Sequence, residues 1–251
     1  MMTHPRWALV TGASSGLGTE FARSLARSGH DIVLVSRDTG QLHALAQDIE
    51  RDFSVSTEVL AADLHTSRDV AKVAKRLADV RKPVRVLVNN AGYGIAGDLA
   101  TSDLSQEREH LAIHVTVPLE LTKAALPGML TRGEGRIIFV ASVAGYLARG
   151  SYSANKAWGL SMARSLNATY KARGVHVSAV APGFTRTEFH QRMRMDISAF
   201  PGFLWLSAPY VVERSLKAVE AGRAVTIPSL RYKALVAIAA ILPKRMHQAG
   251  G

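Results

Sequence analysis

The sequence predicts an α/β protein built on one parallel β-sheet with helices on both faces. Short runs rich in Val, Ile and Leu alternate along the 251 residues with segments whose apolar residues recur at helical spacing. Strands that are apolar throughout are typical of a parallel sheet buried on both faces. Seven such runs, with no internal repeat and no Pro/Gly/Ser-rich linker, predict a single doubly wound domain over residues 1–251.

Each expected strand is one of these apolar runs. In chain order they are Trp7–Thr11, Asp31–Ser36, Val55–Leu60, Val84–Val88, Arg136–Ala141, Val175–Val180 and Ala224–Ile227. The helices between them are indicated by apolar residues three or four apart. These are Leu17, Phe21 and Leu25, ending at Gly29; Leu42, Leu45, Ala46 and Ile49; Val70, Val73, Ala74 and Leu77; and, after Tyr152, Leu160, Ala163 and Leu166.

Composition narrows the classes of function. The chain has no cysteine, which excludes thiolate catalysis and Cys-ligated zinc, and no metal site is expected. Its net charge of +11 suits an anionic cofactor or surface. We expect no nucleic-acid partner, because no known nucleic-acid-binding pattern accompanies the charge. The apolar run after the N-terminal residues is too short for a signal peptide, so a cytoplasmic protein is expected.

A glycine-rich turn joins the first strand to the first helix. Residues 11–18 read TGASSGLG, with Gly12, Gly16 and Gly18 allowing a tight turn and the close approach of a pyrophosphate to the helix N-terminus. Its position at a strand–turn–helix junction favours dinucleotide binding over a turn without a ligand. Ser14, Ser15 and Leu17 lie in the same turn and are expected at the cofactor.

The end of the second strand indicates which dinucleotide is bound. An acidic residue there would accept from the ribose of NAD, whereas this chain has Ser36 and Arg37. A hydroxyl and a guanidinium suit the 2′-phosphate of NADP. We therefore favour NADP(H) over NAD(H), the alternative being that Arg37 is a solvated loop residue.

Two further strand ends carry residues suited to the cofactor. Asp63 and Leu64 follow the third strand, and Asn89-Asn90-Ala91-Gly92 ends the fourth at its carboxyl edge, where ligands of such sheets bind. Asp, Asn and Gly also favour turns, so either group could serve the turn alone.

Tyr152 and Lys156 are spaced to share a helix face, and Ser142 ends the fifth strand. A tyrosine needs about 4 kcal/mol of help for its pKa to fall from about 10 toward 7, and the ammonium of Lys156 is the expected source. Ser142 would hold a substrate oxygen beside Tyr152. A hydrolase nucleophile is not indicated, since residues 140–145, VASVAG, lack the Gly-x-Ser-x-Gly elbow.

Taken in order, TGASSGLG, NNAG, VASVAG, YSANK and PGFTRT resemble the short-chain dehydrogenase/reductase family over nearly the whole chain. The length is similar to the compact branch. The resemblance implies a Rossmann-type fold, Tyr152 as general acid/base, Lys156 also binding the nicotinamide ribose, and Ser142 orienting the substrate. It also implies a homodimer or homotetramer. The nicotinamide carboxamide would be held by Pro182, Gly183, Thr185 and Thr187, and the nucleotide by Asn90, Ala91 and Gly92.

Three features depart from the family pattern. His114 takes the place of an asparagine that usually anchors a water in a proton relay, so it is either a relay residue or a buried core histidine. The spacing from Ser142 to Tyr152 is short, which implies a trimmed loop beside the substrate. Asn155 precedes Lys156 where serine or threonine is usual, and we expect little effect from it.

Residues 188–208 are expected to form a lid over an apolar substrate. Apolar residues supply its cover and two arginines add charge: Phe200, Phe203, Leu204, Trp205 and Leu206, with Arg192 and Arg194. Core or oligomer contacts are the alternative for the aromatic residues. A helical extension is expected at about 230–245, with the apolar run Ala234–Leu242 followed by Pro243, Lys244 and Arg245. It is too short to span a bilayer and would either be buried in a dimer or lie on a membrane surface.

The sequence therefore predicts an NADP(H)-dependent oxidoreductase acting on an apolar ketone, aldehyde or secondary alcohol. Two alternatives stay open: a non-catalytic NADP(H) sensor, and a membrane-peripheral protein recruited through its C-terminus.

Overall fold

The computed structural model of the chain describes residues 6–95, 98–187 and 201–241. Seven strands form one parallel sheet in the order β3-β2-β1-β4-β5-β6-β7. Their bounds are β1 (Trp7–Thr11), β2 (Asp31–Ser36), β3 (Thr57–Ala61), β4 (Val84–Asn89), β5 (Gly135–Val140), β6 (Val175–Val180) and β7 (Val225–Thr226). The predicted doubly wound sheet is confirmed.

Helices cover both faces of this sheet. They are α1 (Gly16–Arg27), α2 (Thr39–Phe53), α3 (Ser67–Leu77), α4 (Leu104–Leu111), α5 (Val117–Arg132), α6 (Gly150–Tyr170), α7 (Ala208–Glu220) and α8 (Leu230–Ile241). Alternate residues of β1 point to opposite faces: Leu9 packs in the core with α3, α5 and α6, and Val10 in the core with α1, α2 and α7. Burial on both sides explains why the strand sequences are apolar throughout.

Strand ends differ from the predicted ones by one or two residues. The third strand begins at Thr57 rather than Val55, because Ser54 adopts a left-handed conformation (φ 53°) where α2 ends, and the chain needs two more residues to reach the sheet. The seventh strand is limited to Val225–Thr226, the residues that pair with β6.

The strand order places β1 beside β4, so the connections leave these two strands toward opposite edges of the sheet. A crevice opens at the carboxyl ends of the strands at such a switch point, where α/β proteins bind ligands. Among the described helices, none combines the length and apolar character required to cross a membrane.

Candidate active site

A cleft of about 1020 Å³ opens along this edge of the sheet. It runs from the glycine-rich turn at one end to Ser142 and Tyr152 at the other. Nearly all of the predicted site residues line it: Gly12, Ser14, Ser15, Gly16, Leu17, Ser36, Arg37, Asp63, Leu64, Asn90, Ala91, Gly92, Ser142, Tyr152, Lys156, Pro182, Gly183, Thr185 and Thr187. Gly18 and His114 are not part of the lining but pack against lining residues, Gly18 against Gly12 and His114 against Gly92.

The glycine-rich turn is packed so closely that its glycines are required. A Cβ on Gly18 would overlap the carbonyl oxygen of Gly12, and Gly12 itself has φ +65°. The Asn90 amide fixes the turn from β4 by donating to the carbonyls of Thr11 (2.8 Å) and Gly12 (3.2 Å). The side chain of Ser15, the N-cap of α1, makes no capping hydrogen bond. The first amides of α1 are thus available to an anion, as a dinucleotide pyrophosphate requires.

Ser36 and Arg37 lie in the cleft near the glycine-rich turn. The Ser36 hydroxyl is 2.8 Å from that of Ser14, which joins the end of β2 to the glycine-rich turn. Arg37 is exposed and lines the cleft. The neighbouring carboxylate, Asp38, caps α2 by accepting from the Gln41 amide at 3.0 Å. The acidic group nearest to Arg37 in sequence is therefore bound to a helix N-terminus.

Asp63 lines the cleft and also holds its own turn. Its carboxylate accepts from the His65 amide at 3.1 Å, while its own amide donates to the Asp69 carboxylate at 2.9 Å. Turn formation and a position at the cofactor cleft are thus compatible for this residue.

Ser142, Tyr152 and Lys156 meet where β5 and α6 approach each other. Ser142 caps the short 3₁₀ turn Val143–Tyr146 by accepting from the Ala144 amide at 3.1 Å, and its side chain is hydrogen-bonded to that of Tyr152. Lys156 is buried and donates to the Val140 carbonyl at 2.9 Å. Its Nζ lies 5.7 Å from the centre of the Tyr152 ring. The predicted trio therefore shares one wall of the cleft.

Burial dominates the electrostatics of this pair. It raises the pKa of Tyr152 to about 12, against the opposing effect of the Ser142 hydrogen bond, and it lowers the pKa of Lys156 to about 7. The expectation that Lys156 lowers the pKa of Tyr152 is wrong for this structure. A buried ammonium is itself costly, so Lys156 is only partly charged at neutral pH, and Tyr152 keeps its proton.

His114 lies in a π-helical turn, Ala112–Thr116, between α4 and α5. Its Nε2 lies 2.7 Å from the Tyr93 carbonyl oxygen, and the Nε2 of His110 lies 3.1 Å from the same atom. We assign a proton to both Nε2 atoms, because a carbonyl only accepts. Asn155 donates to Nδ1 of His110 at 3.1 Å, which fixes that tautomer. The departure from the family pattern at Asn155 is thus tied to this pair of histidines.

The two histidines form a wall behind Tyr152. Their ring centres are 4.6 Å apart, and each is 5.9 Å from the centre of the Tyr152 ring. Gly92 makes room for this packing, since a Cβ there would overlap the ring of His114. Burial holds the pKa of His114 well below 6.5, so its ring is neutral at physiological pH. His110 was not predicted, because only the folded turn brings it to the carbonyl of residue 93. Asn155 was expected to matter little, and its contact with His110 could not be read from the sequence.

The C-terminal helix forms a wall of the cleft that the sequence did not predict. Tyr232 of α8 packs flat on Gly183, where any Cβ would overlap its ring. Its hydroxyl accepts from the Phe184 amide (3.0 Å) and donates to the Leu204 carbonyl (2.9 Å). Leu235 and Val236, on the following turn, line the cleft. The apolar run was visible in the sequence, but its contact with the Pro182–Gly183 turn was not.

The predicted lid is only partly described. Phe203, Leu204, Trp205 and Leu206 do not line the cleft. Instead, the Leu206 amide donates to the Phe184 carbonyl at 2.8 Å, and the Trp205 ring packs at 5.4 Å from that of Phe184. These residues brace the chain beyond the Pro182–Gly183 turn. Arg192, Arg194 and Phe200 lie outside the described residues.

A dinucleotide-sized cleft over a glycine-rich turn, with a tyrosine and a lysine at its far end, is typical of nicotinamide-dependent oxidoreductases. A family model described as short chain dehydrogenase matches residues 6–198. The chain belongs to the short-chain dehydrogenase family of oxidoreductases.

Relatives and solved structures agree with this assignment. Dehydrogenase/reductase SDR family protein 7-like of Drosophila melanogaster is 34% identical over 186 residues, which are 72% of this chain and 57% of that protein. A very-long-chain 3-oxoacyl-CoA reductase of Phaeosphaeria nodorum is 34% identical over 182 residues, 69% of this chain and 53% of that protein. The chain thus spans little more than half the length of these relatives.

One solved structure matches over almost the full length of both chains. The short-chain dehydrogenase from Sphingobium yanoikuyae in complex with NADPH is 32% identical to this chain, with a TM-score of 0.85 and 98% of each chain covered.

Proposed function

We propose that the protein is an NADP(H)-dependent oxidoreductase that interconverts an apolar ketone or aldehyde and the corresponding alcohol. The observation that carries this proposal is the placement of Ser142, Tyr152 and Lys156 in the same cleft as the glycine-rich turn. The cofactor supplies or accepts the hydride when bound. The protein supplies the proton, the hydrogen bonds and the orientation.

The residues along the cleft fit such a cofactor. The free amides at the start of α1 suit the pyrophosphate, and Gly12 leaves space for its close approach. Ser36 and Arg37 suit a 2′-phosphate, and the carboxylate of Asp38, which would repel it, is bound to the Gln41 amide. The relative from Sphingobium yanoikuyae, solved with NADPH, supports the same preference.

Tyr152 serves as the proton donor to a carbonyl. Because burial raises its pKa to about 12, the phenol keeps its proton at neutral pH and can donate it to a developing alkoxide. The Ser142 hydroxyl, already hydrogen-bonded to Tyr152, would hold the same substrate oxygen. Lys156 lies behind the phenol and would stabilise its negative charge after transfer. The protonated phenol is the form that carbonyl reduction requires.

His110 and His114 are positioning residues in this scheme. Both are neutral in this arrangement and both are tied to the Tyr93 carbonyl, so they hold the ring of Tyr152 between α4 and α6 without changing charge near pH 7. Of the two interpretations of His114, a packed histidine agrees better with these contacts than a titrating relay residue.

The assembly of this protein as a homodimer or homotetramer stays a prediction.

The substrate end of the cleft favours apolar compounds. The lining includes the apolar side chains of Ile95, Leu147, Leu235 and Val236, with Arg149 as a charged neighbour of Leu147 in the sequence, and this apolar character suits an apolar compound better than a sugar. The named activity of the Phaeosphaeria nodorum relative, on a very-long-chain 3-oxoacyl thioester, lies within this substrate class.

The proposal is tested by NADPH oxidation against a panel of apolar ketones, aldehydes and β-ketoacyl thioesters, with ketoses as the polar control. We expect turnover of apolar carbonyl compounds with NADPH, slower turnover with NADH, and none with ketoses. Tight NADPH binding without turnover of any carbonyl compound would contradict the proposal and favour a non-catalytic NADP(H) sensor.

A further inference from the structure

The side of α8 that faces away from the protein is apolar. Among the side chains of α8 that the structure describes, the buried or half-buried ones are Tyr232, Val236 and Ala239, which are spaced to share the face toward the protein. Leu230 and Ile238 lie on the other side and are exposed, and Leu235, at the edge between the two sides, is also exposed. A surface helix normally carries polar residues on its outer side. The outer side of α8 has the character of a surface that something else covers.

Phe203 extends this surface. Its side chain is 63% exposed, and its carbonyl accepts a hydrogen bond from the guanidinium of Arg231 in the first turn of α8. We call Phe203, Leu230, Leu235 and Ile238 the apolar lip. Leu235 lines the cleft as well, so the lip is continuous with the substrate end of the site.

The C-terminal part of the sequence, which contains α8, is basic and has no acidic residue. Residues 221–251 contain five basic side chains, namely Arg223, Arg231, Lys233, Lys244 and Arg245, and neither Asp nor Glu. Arg231 and Lys233 are exposed on the first turn of α8, next to the lip. This combination of apolar and cationic side chains complements a surface that is apolar inside and anionic outside, as an anionic bilayer is.

A second copy of the chain fits this surface less well. Two identical patches meeting across a twofold axis would place each copy's Arg231 and Lys233 near those of the other, without an acidic residue in this part of the sequence to pair with them. Like charges brought together in this way oppose association. An anionic bilayer turns the same charges into an attraction.

We propose that the apolar lip docks the protein on anionic lipid bilayers and opens the substrate end of the cleft toward the hydrocarbon. The class of substrate this favours is a carbonyl compound dissolved in the membrane, which would pass along Leu235 to Tyr152. The entry route rests on the proposed function, whereas docking itself does not require any turnover.

The test is flotation of the full chain with phosphatidylcholine vesicles, with and without about one-quarter phosphatidylglycerol. We expect flotation with the anionic vesicles and loss of it at high salt. The double variant Leu235→Glu/Ile238→Glu should lower the bound fraction at least about tenfold, because carboxylates in the lip oppose contact with both hydrocarbon and headgroups. Lys233→Gln should weaken binding about fivefold.

The matched control is Val80→Glu/Leu99→Glu, which places two carboxylates at exposed apolar positions outside the lip, and it should float like the wild type. Absence of wild-type flotation, or equal loss in both double variants, would overturn the proposal. The proposal would also be overturned if Leu235→Glu/Ile238→Glu left the bound fraction unchanged but gave a smaller assembly in light scattering. That result would assign the apolar lip to contact with a second copy of the chain. Flotation without carbonyl reduction would support docking while contradicting the proposed function.

Discussion

Lys156→Met should stabilise the folded protein, and the gain should depend on pH. A fall in the pKa of Lys156 from its ordinary value of 10.5 to about 7 corresponds to roughly 5 kcal/mol of folding free energy, at about 1.4 kcal/mol per pH unit. Below pH 7 the wild type bears this cost in full, because both its folded and unfolded forms hold the proton. Between pH 7 and 10.5 the unfolded lysine holds a proton that the folded one has released, so the stability of the wild type rises with pH.

Methionine carries no charge, so the variant is free of the cost of burying an ammonium at every pH. The variant also loses the hydrogen bond to the Val140 carbonyl, which offsets about 1.5–3 kcal/mol of this stabilisation. Its free energy of unfolding near pH 6.5 should therefore exceed that of the wild type by roughly 2–3 kcal/mol. The difference between variant and wild type should shrink by roughly 2–3 kcal/mol between about pH 6.5 and about pH 9.

Urea unfolding followed by circular dichroism measures this difference, with Lys75→Met, an exposed lysine on α3, as the control. A stability difference between Lys156→Met and wild type that is the same at both pH values, within the error of linear extrapolation, would contradict a lowered pKa of Lys156 in the folded protein.

Three further changes test other parts of the site. Arg37→Glu should raise the Kd for NADPH at least about tenfold while leaving NADH binding nearly unchanged, because a carboxylate would repel the 2′-phosphate; isothermal calorimetry measures both. Gly183→Ala should lower stability by about 1–3 kcal/mol in urea unfolding, because the added methyl overlaps the tyrosine ring of α8. His114→Leu should cost about 1–3 kcal/mol of stability, since the Tyr93 carbonyl loses a donor. Its pH profile of kcat above pH 6.5 should match that of the wild type, because the pKa of His114 lies well below 6.5.

Each of these changes has a control elsewhere in the chain. Arg81→Glu reverses an 88% exposed arginine far from the cleft and should leave NADPH binding intact. Gly40→Ala should not destabilise, since the nearest atom to its Cβ would lie at an ordinary 3.5 Å. His43→Leu replaces an exposed histidine. A tenfold weaker Kd for NADH with Arg37→Glu, an unchanged stability of Gly183→Ala, or a shifted pH profile for His114→Leu would each count against the corresponding assignment.

The sheet could be predicted from the sequence because burial on two faces imposes a pattern that survives without knowledge of the neighbours. Ile32 and Val33 face opposite cores, so both must be apolar. Strand ends follow a different rule. Where β3 begins depends on the left-handed Ser54 and on pairing with β2, and neither is encoded in the apolar pattern.

The site shows the same difference between what the side-chain pattern predicts and what only the folded contacts decide. Ser142, Tyr152 and Lys156 were recognisable because their chemistry is carried by side chains at strand and helix ends. The support behind them depends on a backbone carbonyl, that of Tyr93, which has no signature in the side-chain sequence. The pKa of Tyr152 was predicted in the wrong direction because burial, a property of the folded site, raises it and outweighs the hydrogen bond with Ser142.

Under the proposed function, Tyr152 supplies the proton for carbonyl reduction. The most direct test of this role is the kcat of Tyr152→Phe for NADPH oxidation with a saturating apolar ketone, alongside the Kd for NADPH. We expect a fall in kcat of at least about a hundredfold with the Kd nearly unchanged, because only the proton donor is removed. Turnover undiminished by this substitution would contradict this role.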